Sequence, residues 1–365
     1  MRTTVISQQL RALARTQKTS NRNFATTSSR QASSDPQAIA QNFLSKFPKG
    51  QTFVRKQLLD GNQLRLFSLT LDRPHLWTGS SSRSLEREEP PKGSPLPAGY
   101  HLAYFTPEQL PGTLGLDGSD SSFNPEAPFT RRMWAGGSVH WPGAEPSQST
   151  KHYLKVGDVA TEVTKVLSCE PKTIRKTGES MLVVGIEKQF LDEKDNVCVV
   201  DKRNWVFRKA LDPSQPAKPQ PRPSELTQSE IDEQNQGMAI QEFNRTAVQL
   251  FRMSALTFNA HRIHYDLPWA TDVEGHRNIV VHGPLNQISM LDLWRDEMTK
   301  TGKNTSSDGV VFPKELYYRA TSPVYAGEPY RILMPKDGLD KSEVEVQVVS
   351  NDGTVCMKGS MHNWQ

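Results

Sequence analysis

The chain of 365 residues has room for two ordinary domains and a sizeable core, but a hydrophobic fraction of 35% and 25 prolines assign part of it to loops. Its three cysteines, Cys169, Cys198 and Cys356, are odd in number and far apart, which excludes a disulfide framework and a Cys-based zinc module and fits a reducing compartment. The formal charge of +4 is concentrated at one end of the chain.

Residues 1–34 carry six basic residues (Arg2, Arg11, Arg15, Lys18, Arg22, Arg30) and no acidic one. Ile6, Leu10 and Leu13 fall at helical spacing, with Arg11 and Arg15 on other faces. This is the composition of a mitochondrial presequence, and Arg22-Asn23-Phe24-Ala25 looks like a matrix processing site, so cleavage is expected near 24–30. The alternative is a merely basic tail. Loss of the five basic residues of 1–24 takes the formal charge from +4 to −1, and loss of all six takes it to −2. A remainder so close to neutral carries no general signal for nucleic acid or an anionic membrane surface. No stretch approaches the roughly 18 apolar residues of a membrane span.

Ala38 to Phe47 reads as a short amphipathic helix with Ile39, Phe43 and Phe47 on one face. Residues 80–98 are rich in Ser, Pro and charge and read as a flexible surface loop. From Tyr153, a Gly-acid entry leads into a strand. "SMLVVGIEKQF" and "VCVVDKRNWVF" then flank the turn Asp192 to Asn196 as a β-hairpin. Asp212 to Ser224 holds five prolines, a density that blocks helix and central strand alike, and opens an expected linker over 212–235.

Beyond it the pattern repeats: an entry strand from Pro323, then "EVEVQVVS", the turn Asn351-Asp352-Gly353, and "TVCMKGSMHNW". A diverged duplication is inferred, with an N-terminal half at 37–211 and a C-terminal half at 236–365. Between linker and hairpin, Gly283-Pro284 opens "LNQISMLDLWRDEMTK", which is apolar over more than one narrow stripe. Such a helix should be buried and wrapped by a sheet. One central helix held by a long antiparallel sheet is an α+β layout.

The densest chemistry lies in "NAHRIHYD", Asn259 to Asp266. His261 and His264 are spaced for zinc, but HExxH and nearby Cys are absent and only Asp266 offers a third ligand, so no metal is expected. Satisfied loop polars are the bland alternative. Against it stands "IVVHGP", about twenty residues on, where Gly283 sits at a helix start. Free N–H groups and the positive end of the helix dipole there can hold an oxyanion. A base plus an oxyanion hole is the minimum for removing a proton α to a carbonyl.

"TFNAHRIHYD", "IVVHGPL", "YRATSPVYAGEPYRI" and, in the first half, "RRMWAGGSVHW" together resemble the MaoC-like hot-dog hydratases and dehydratases. Within that group the match is nearest the type 2 3-hydroxyacyl-thioester dehydratases and their mesaconyl-CoA hydratase relatives. It runs from about residue 37 to the C-terminus, apart from the Pro-rich loops.

The resemblance implies a double hot-dog fold and dehydration of (3R)-3-hydroxyacyl thioesters, on acyl-carrier protein or CoA, in mitochondrial type II fatty-acid synthesis. It implies no cofactor. His264 falls on the catalytic histidine, Asn259 on a position where the broader group has aspartate, and Gly283 on the glycine whose N–H binds the thioester oxygen. His261, Asp266 and Arg262 are supporting candidates: an alternative base, an imidazole-orienting or loop-capping carboxylate, and a phosphate contact or surface salt bridge. No second pair like Asn259/His264 occurs in the first half, so one site per chain is expected, in a monomer or homodimer, with the first half as acyl-chain enclosure. A hydratase of a branched or dicarboxylic enoyl-CoA, a thioesterase and a non-catalytic thioester-binding scaffold are the rivals.

Overall fold

A computed structural model describes residues 35–77, 84–175, 177–302 and 309–364. The expected presequence, 1–34, lies outside the described residues, as do 80–83 of the expected surface loop. The first helix, α1 (Pro36–Lys46), starts where Asp35 caps the Gln37 N–H at 3.1 Å and Pro36 occupies the first turn. Next come β1 (Phe53–Leu58), α2 (Gly61–Thr70) and a long irregular stretch broken by a 3-10 turn at Tyr100–Ala103. Four strands complete this half: β2 (Arg131–His140), β3 (Val159–Thr173), β4 (Ser180–Leu191) and β5 (Val197–Arg208). The other half holds α3 (Gln228–Asn235), β6 (Met238–Phe243), α4 (Ala247–Leu256), α5 (Gly283–Thr301), β7 (Glu315–Ala320), β8 (Tyr330–Pro335), β9 (Glu343–Ser350) and β10 (Val355–His362).

The ten strands form one sheet in the order β1-β3-β4-β5-β2-β7-β10-β9-β8-β6. Every named pairing is antiparallel. Counted from each edge inward, the two halves have the same order, first-third-fourth-fifth-second, and meet where β2 pairs with β7 through Gly136↔Arg319 to His140↔Glu315. The hairpins expected around Asp192–Asn196 and Asn351–Gly353 are β4–β5 and β9–β10.

Helix α5 is buried along most of its length, from Leu285 to Arg295 and again at Met298. Its polar residues find partners inside: the Tyr330 hydroxyl donates to Asn286 at 3.0 Å and Arg245 donates to Ser289 at 3.1 Å. In the first half, the place in chain order that α5 fills holds, among the described residues, two 3-10 turns, Tyr100–Ala103 and Pro111–Thr113, the first entered through Gly99 at φ 85°. A Cβ on Gly99 would lie 2.8 Å from Leu291, so this turn rests directly on α5.

Two expectations need correction. The segment around 80–98 is not a free surface loop over its described part, because Leu85, Leu96 and Ala98 are buried in the main core. The span 212–235 is not linker throughout. Residues 228–235 form α3, started by a capping box between Thr227 and Glu230, and the Pro-rich part is tied down by Ala217 N–H to Asp272 O (2.7 Å) and Gln220 N–H to Gly275 O (3.1 Å).

Candidate active site

The polar segment follows α4, whose last turn leads to Phe258 at φ 48°, a left-handed residue that turns the chain toward the cleft. The Asn259 Oδ1 then accepts the His261 backbone N–H at 3.1 Å. An amide whose oxygen is engaged has its NH2 left as a donor. Arg262–His264 form a 3-10 turn, and the Val280 N–H donates to Ile263 O at 2.8 Å, binding this turn to the segment that enters α5.

His264 is buried, and its Nδ1 lies 2.7 Å from the Val280 carbonyl oxygen. A carbonyl only accepts, so Nδ1 carries the proton and Nε2 keeps the lone pair. Burial, then the neighbouring His282 and His261, holds this imidazole well below the ordinary 6.5. It is a neutral base at physiological pH. His282 stacks on it, with ring centroids 3.7 Å apart and planes 17° apart, and shares a 2.9 Å hydrogen bond between Nε2 and the Ser254 hydroxyl. Burial pushes His282 down to about 3.

Gly283 is the first residue of α5, so its N–H has no partner within the helix. A Cβ here would enter the Trp134 indole, which stacks on Tyr318 at 4.6 Å. Asn259, His261, His264, His282 and Gly283 line one cleft of about 1730 Å³, whose far side comes from the first half.

The supporting candidates separate. Arg262 and Asp266 pair with each other (2.9 and 2.7 Å), Arg262 lies 3.9 Å over the Trp269 ring, and Asp266 accepts the Trp269 N–H at 3.1 Å. Neither lines the cleft. Asp266 is therefore a loop cap and salt-bridge partner, and touches no imidazole.

His261 instead has Nε2 3.6 Å from Asp117 and 3.8 Å from Glu274. Sequence reading missed both carboxylates, because Asp117 arrives from the first half and Glu274 from a turn after the π-helical Trp269–Val273. Arg131 donates to Glu274 through Nε and Nη2 (3.0 and 2.7 Å). Burial raises the Glu274 pKa, but His261 and Arg131 outweigh it and hold the carboxyl at about 2. Gly118 lets the Asp117 loop approach closely: a Cβ at its φ of 77° would strike the Ala260 carbonyl, and Arg262 N–H donates to Asp117 O at 2.8 Å.

A neutral imidazole, an amide donor and a helix-start N–H around one cleft define a class of protein: a double hot-dog chain equipped for proton chemistry beside a polarised carbonyl. The family model described as hydroxyacyl-thioester dehydratase type 2 matches residues 99–326. The mesaconyl-C(4)-CoA hydratase of Chloroflexus aurantiacus is 30% identical over 75% of this chain and 87% of its own. The mitochondrial hydroxyacyl-thioester dehydratase type 2 of Schizosaccharomyces pombe is 28% identical over 67% and 79%. Among solved structures, a Mycobacterium tuberculosis protein with a double hotdog fold superposes at a TM-score of 0.50, with 12% identity over 87% of this chain and 96% of its own. The chain belongs to the hydroxyacyl-thioester dehydratase type 2 family.

Proposed function

We propose that the protein is a hydro-lyase that dehydrates (3R)-3-hydroxyacyl thioesters to trans-2-enoyl thioesters, on acyl-carrier protein or CoA, in mitochondrial type II fatty-acid synthesis. The observation that carries this reading is the 2.7 Å contact between His264 Nδ1 and the Val280 carbonyl, which leaves Nε2 as a base in the cleft that Gly283 also lines. Nε2 of His264 takes the C2 proton. The Gly283 N–H holds the enolate oxygen, and the Asn259 NH2 donates to the C3 hydroxyl. His264 then returns its proton to the departing oxygen, so the elimination is syn and water leaves.

A positioned base contributes about 10²–10⁴-fold and an oxyanion donor about 10²–10³-fold, so both are needed. Each step uses side chains and backbone of this chain alone, without a cofactor. Because one chain supplies both walls of the cleft, a monomer suffices. The basic N-terminal residues and the mitochondrial relative support a matrix location.

Product analysis tests the reading. Incubation with (3R)-hydroxyacyl-CoA and carrier thioesters should give trans-2-enoyl thioester plus water. Release of free acid would make the protein a thioesterase, and no product with any thioester would leave the scaffold reading.

A further inference from the structure

Helix α5 begins at the cleft with a gap in its row of donors. A helix start offers successive backbone N–H groups without partners, but the second residue of α5 is Pro284, which has none. The Gly283 N–H therefore meets the cleft without its next neighbour. A carbonyl oxygen has two lone pairs, and one that gathers charge is poorly served by a single donor.

Asn286 stands three residues after Gly283, so both lie on one face of the first turn, and helical side chains lean toward the N-terminus. Asn286 is 5% exposed and lines the cleft. Its Oδ1 accepts the Tyr330 hydroxyl at 3.0 Å, and among the described residues nothing accepts from its NH2. The amide is thus held by its oxygen, and a buried amide with idle donors beside an open cavity is short of an acceptor.

The tether continues inward. Tyr330 is buried on β8; burial raises its pKa, so the phenol keeps its proton, and Arg245 is near enough to oppose that rise. A guanidinium offers only donors, which leaves the phenol's own proton for Asn286. Arg245 is 3% exposed, donates through Nη2 to the Ser289 hydroxyl at 3.1 Å and lies 4.2 Å from the Phe243 ring centroid. Ser289, Phe243 and Tyr330 are all neutral, so a buried positive charge stands without a carboxylate partner among the described residues, an arrangement that costs stability. Hydrogen bonds in a chain polarise one another, and this one runs from Arg245 through Tyr330 to the Asn286 amide at the cleft.

We propose that Asn286 is the second donor of the oxyanion hole: its NH2 joins the Gly283 N–H on the thioester oxygen, with Tyr330 and Arg245 as positioning residues behind it. Negative charge on the enolate is then met by two donors and by the buried cation that backs one of them. The use of this pair on an enolate rests on the hydro-lyase reading of His264; the hydrogen bond to a thioester carbonyl does not.

Two measurements separate them. Butanoyl-CoA labelled with carbon-13 at the thioester carbonyl cannot be dehydrated, so its infrared C=O band in the complex reads the hole alone. The band should lie at higher frequency in Asn286→Leu and Asn286→Asp than in the wild-type complex. In dehydration of (3R)-3-hydroxybutanoyl-CoA, Asn286→Leu should lose about 10²–10³-fold in kcat, with KM within about threefold. Asn286→Asp has the native shape and keeps the Tyr330 hydrogen bond, so it carries the same test if Asn286→Leu does not fold. Tyr330→Phe should lose about tenfold in kcat alone and nothing further when added to Asn286→Leu, whereas a merely structural role would cost the same in both backgrounds. An unmoved carbonyl band, or kcat within about threefold of wild type, in both Asn286 variants overturns the proposal and leaves the hydro-lyase reading to its own product assay. A moved band with no enoyl product from the wild-type protein supports the donor pair and removes the hydro-lyase reading.

Discussion

His264 and His282 stack face to face, 3.7 Å between centroids, each buried and, among the described residues, neither in a salt bridge with a carboxylate. Their common consequence is a pH dependence. Both bind protons more weakly in the folded chain than at the ordinary 6.5, so the unfolded chain takes up more protons once the pH falls below 6.5. Stability is therefore full above about pH 6.5 and declines as the pH drops toward the folded value of about 3 for His282. The same depression keeps His264 unprotonated in mildly acid solution, so the acid limb of kcat/KM should lie below pH 6.5. Thermal melts and initial rates across pH 4–8 check this; an acid limb near 7 would contradict it.

Gly283 has no space for a side chain. A Cβ would enter the Trp134 ring, and overpacking of this kind costs about 1–3 kcal/mol. Gly283→Ala should lower the melting temperature and, by moving the N–H, cut kcat/KM at least about tenfold. Adding Trp134→Leu should recover much of the melting temperature, and calorimetric melts of the two proteins would show whether it does.

The Asn259 oxygen is spent on the His261 N–H, so its useful group is the NH2 donor. Asn259→Asp keeps the backbone hydrogen bond and replaces the donor with an acceptor. Loss of one such hydrogen bond is expected to reduce kcat/KM about 10- to 100-fold near neutral pH. The residual rate should rise toward acid pH, where a protonated carboxyl donates again. A flat profile in this variant, against the wild-type curve, would show that the donor has no role.

Arg131 and Glu274 form a largely buried pair beside His261. Arg131→Met leaves the carboxylate with the Trp269 indole N–H at 3.0 Å but no guanidinium. Breaking one partner of a buried pair costs about 3–5 kcal/mol, and denaturant midpoints would measure it. A change under about 1 kcal/mol would place the pair among surface salt bridges.

Local patterns carried much of the fold. The hairpins showed in β-branched alternation around Asp192 and Asn351, and α5 showed in "LNQISMLDLW", apolar over more than one narrow stripe behind Gly283-Pro284. The strand order common to both halves repeats the pattern seen at the hairpins. That Asn259, His264 and Gly283 would line one cleft was legible in sequence, because they are near neighbours or follow a helix start. Asp117 was not, because it reaches His261 across 144 positions through a Gly-turned loop without periodicity. Ser254 was hidden inside α4, where a serine next to Met253 gives no sign of meeting His282. Asp266 looked available to an imidazole, but Arg262, one helical turn back, claims it at 2.7 Å.

The most direct test of the account is the rate of His264→Ala on a (3R)-3-hydroxyacyl thioester, read as trans-2-enoyl product beside the wild-type protein. Removing the base while the fold and Gly283 remain should lower kcat by about 10²–10⁴-fold with a smaller change in KM. Activity within a few-fold of wild type would contradict the assignment of His264 and, with it, the proposed mechanism.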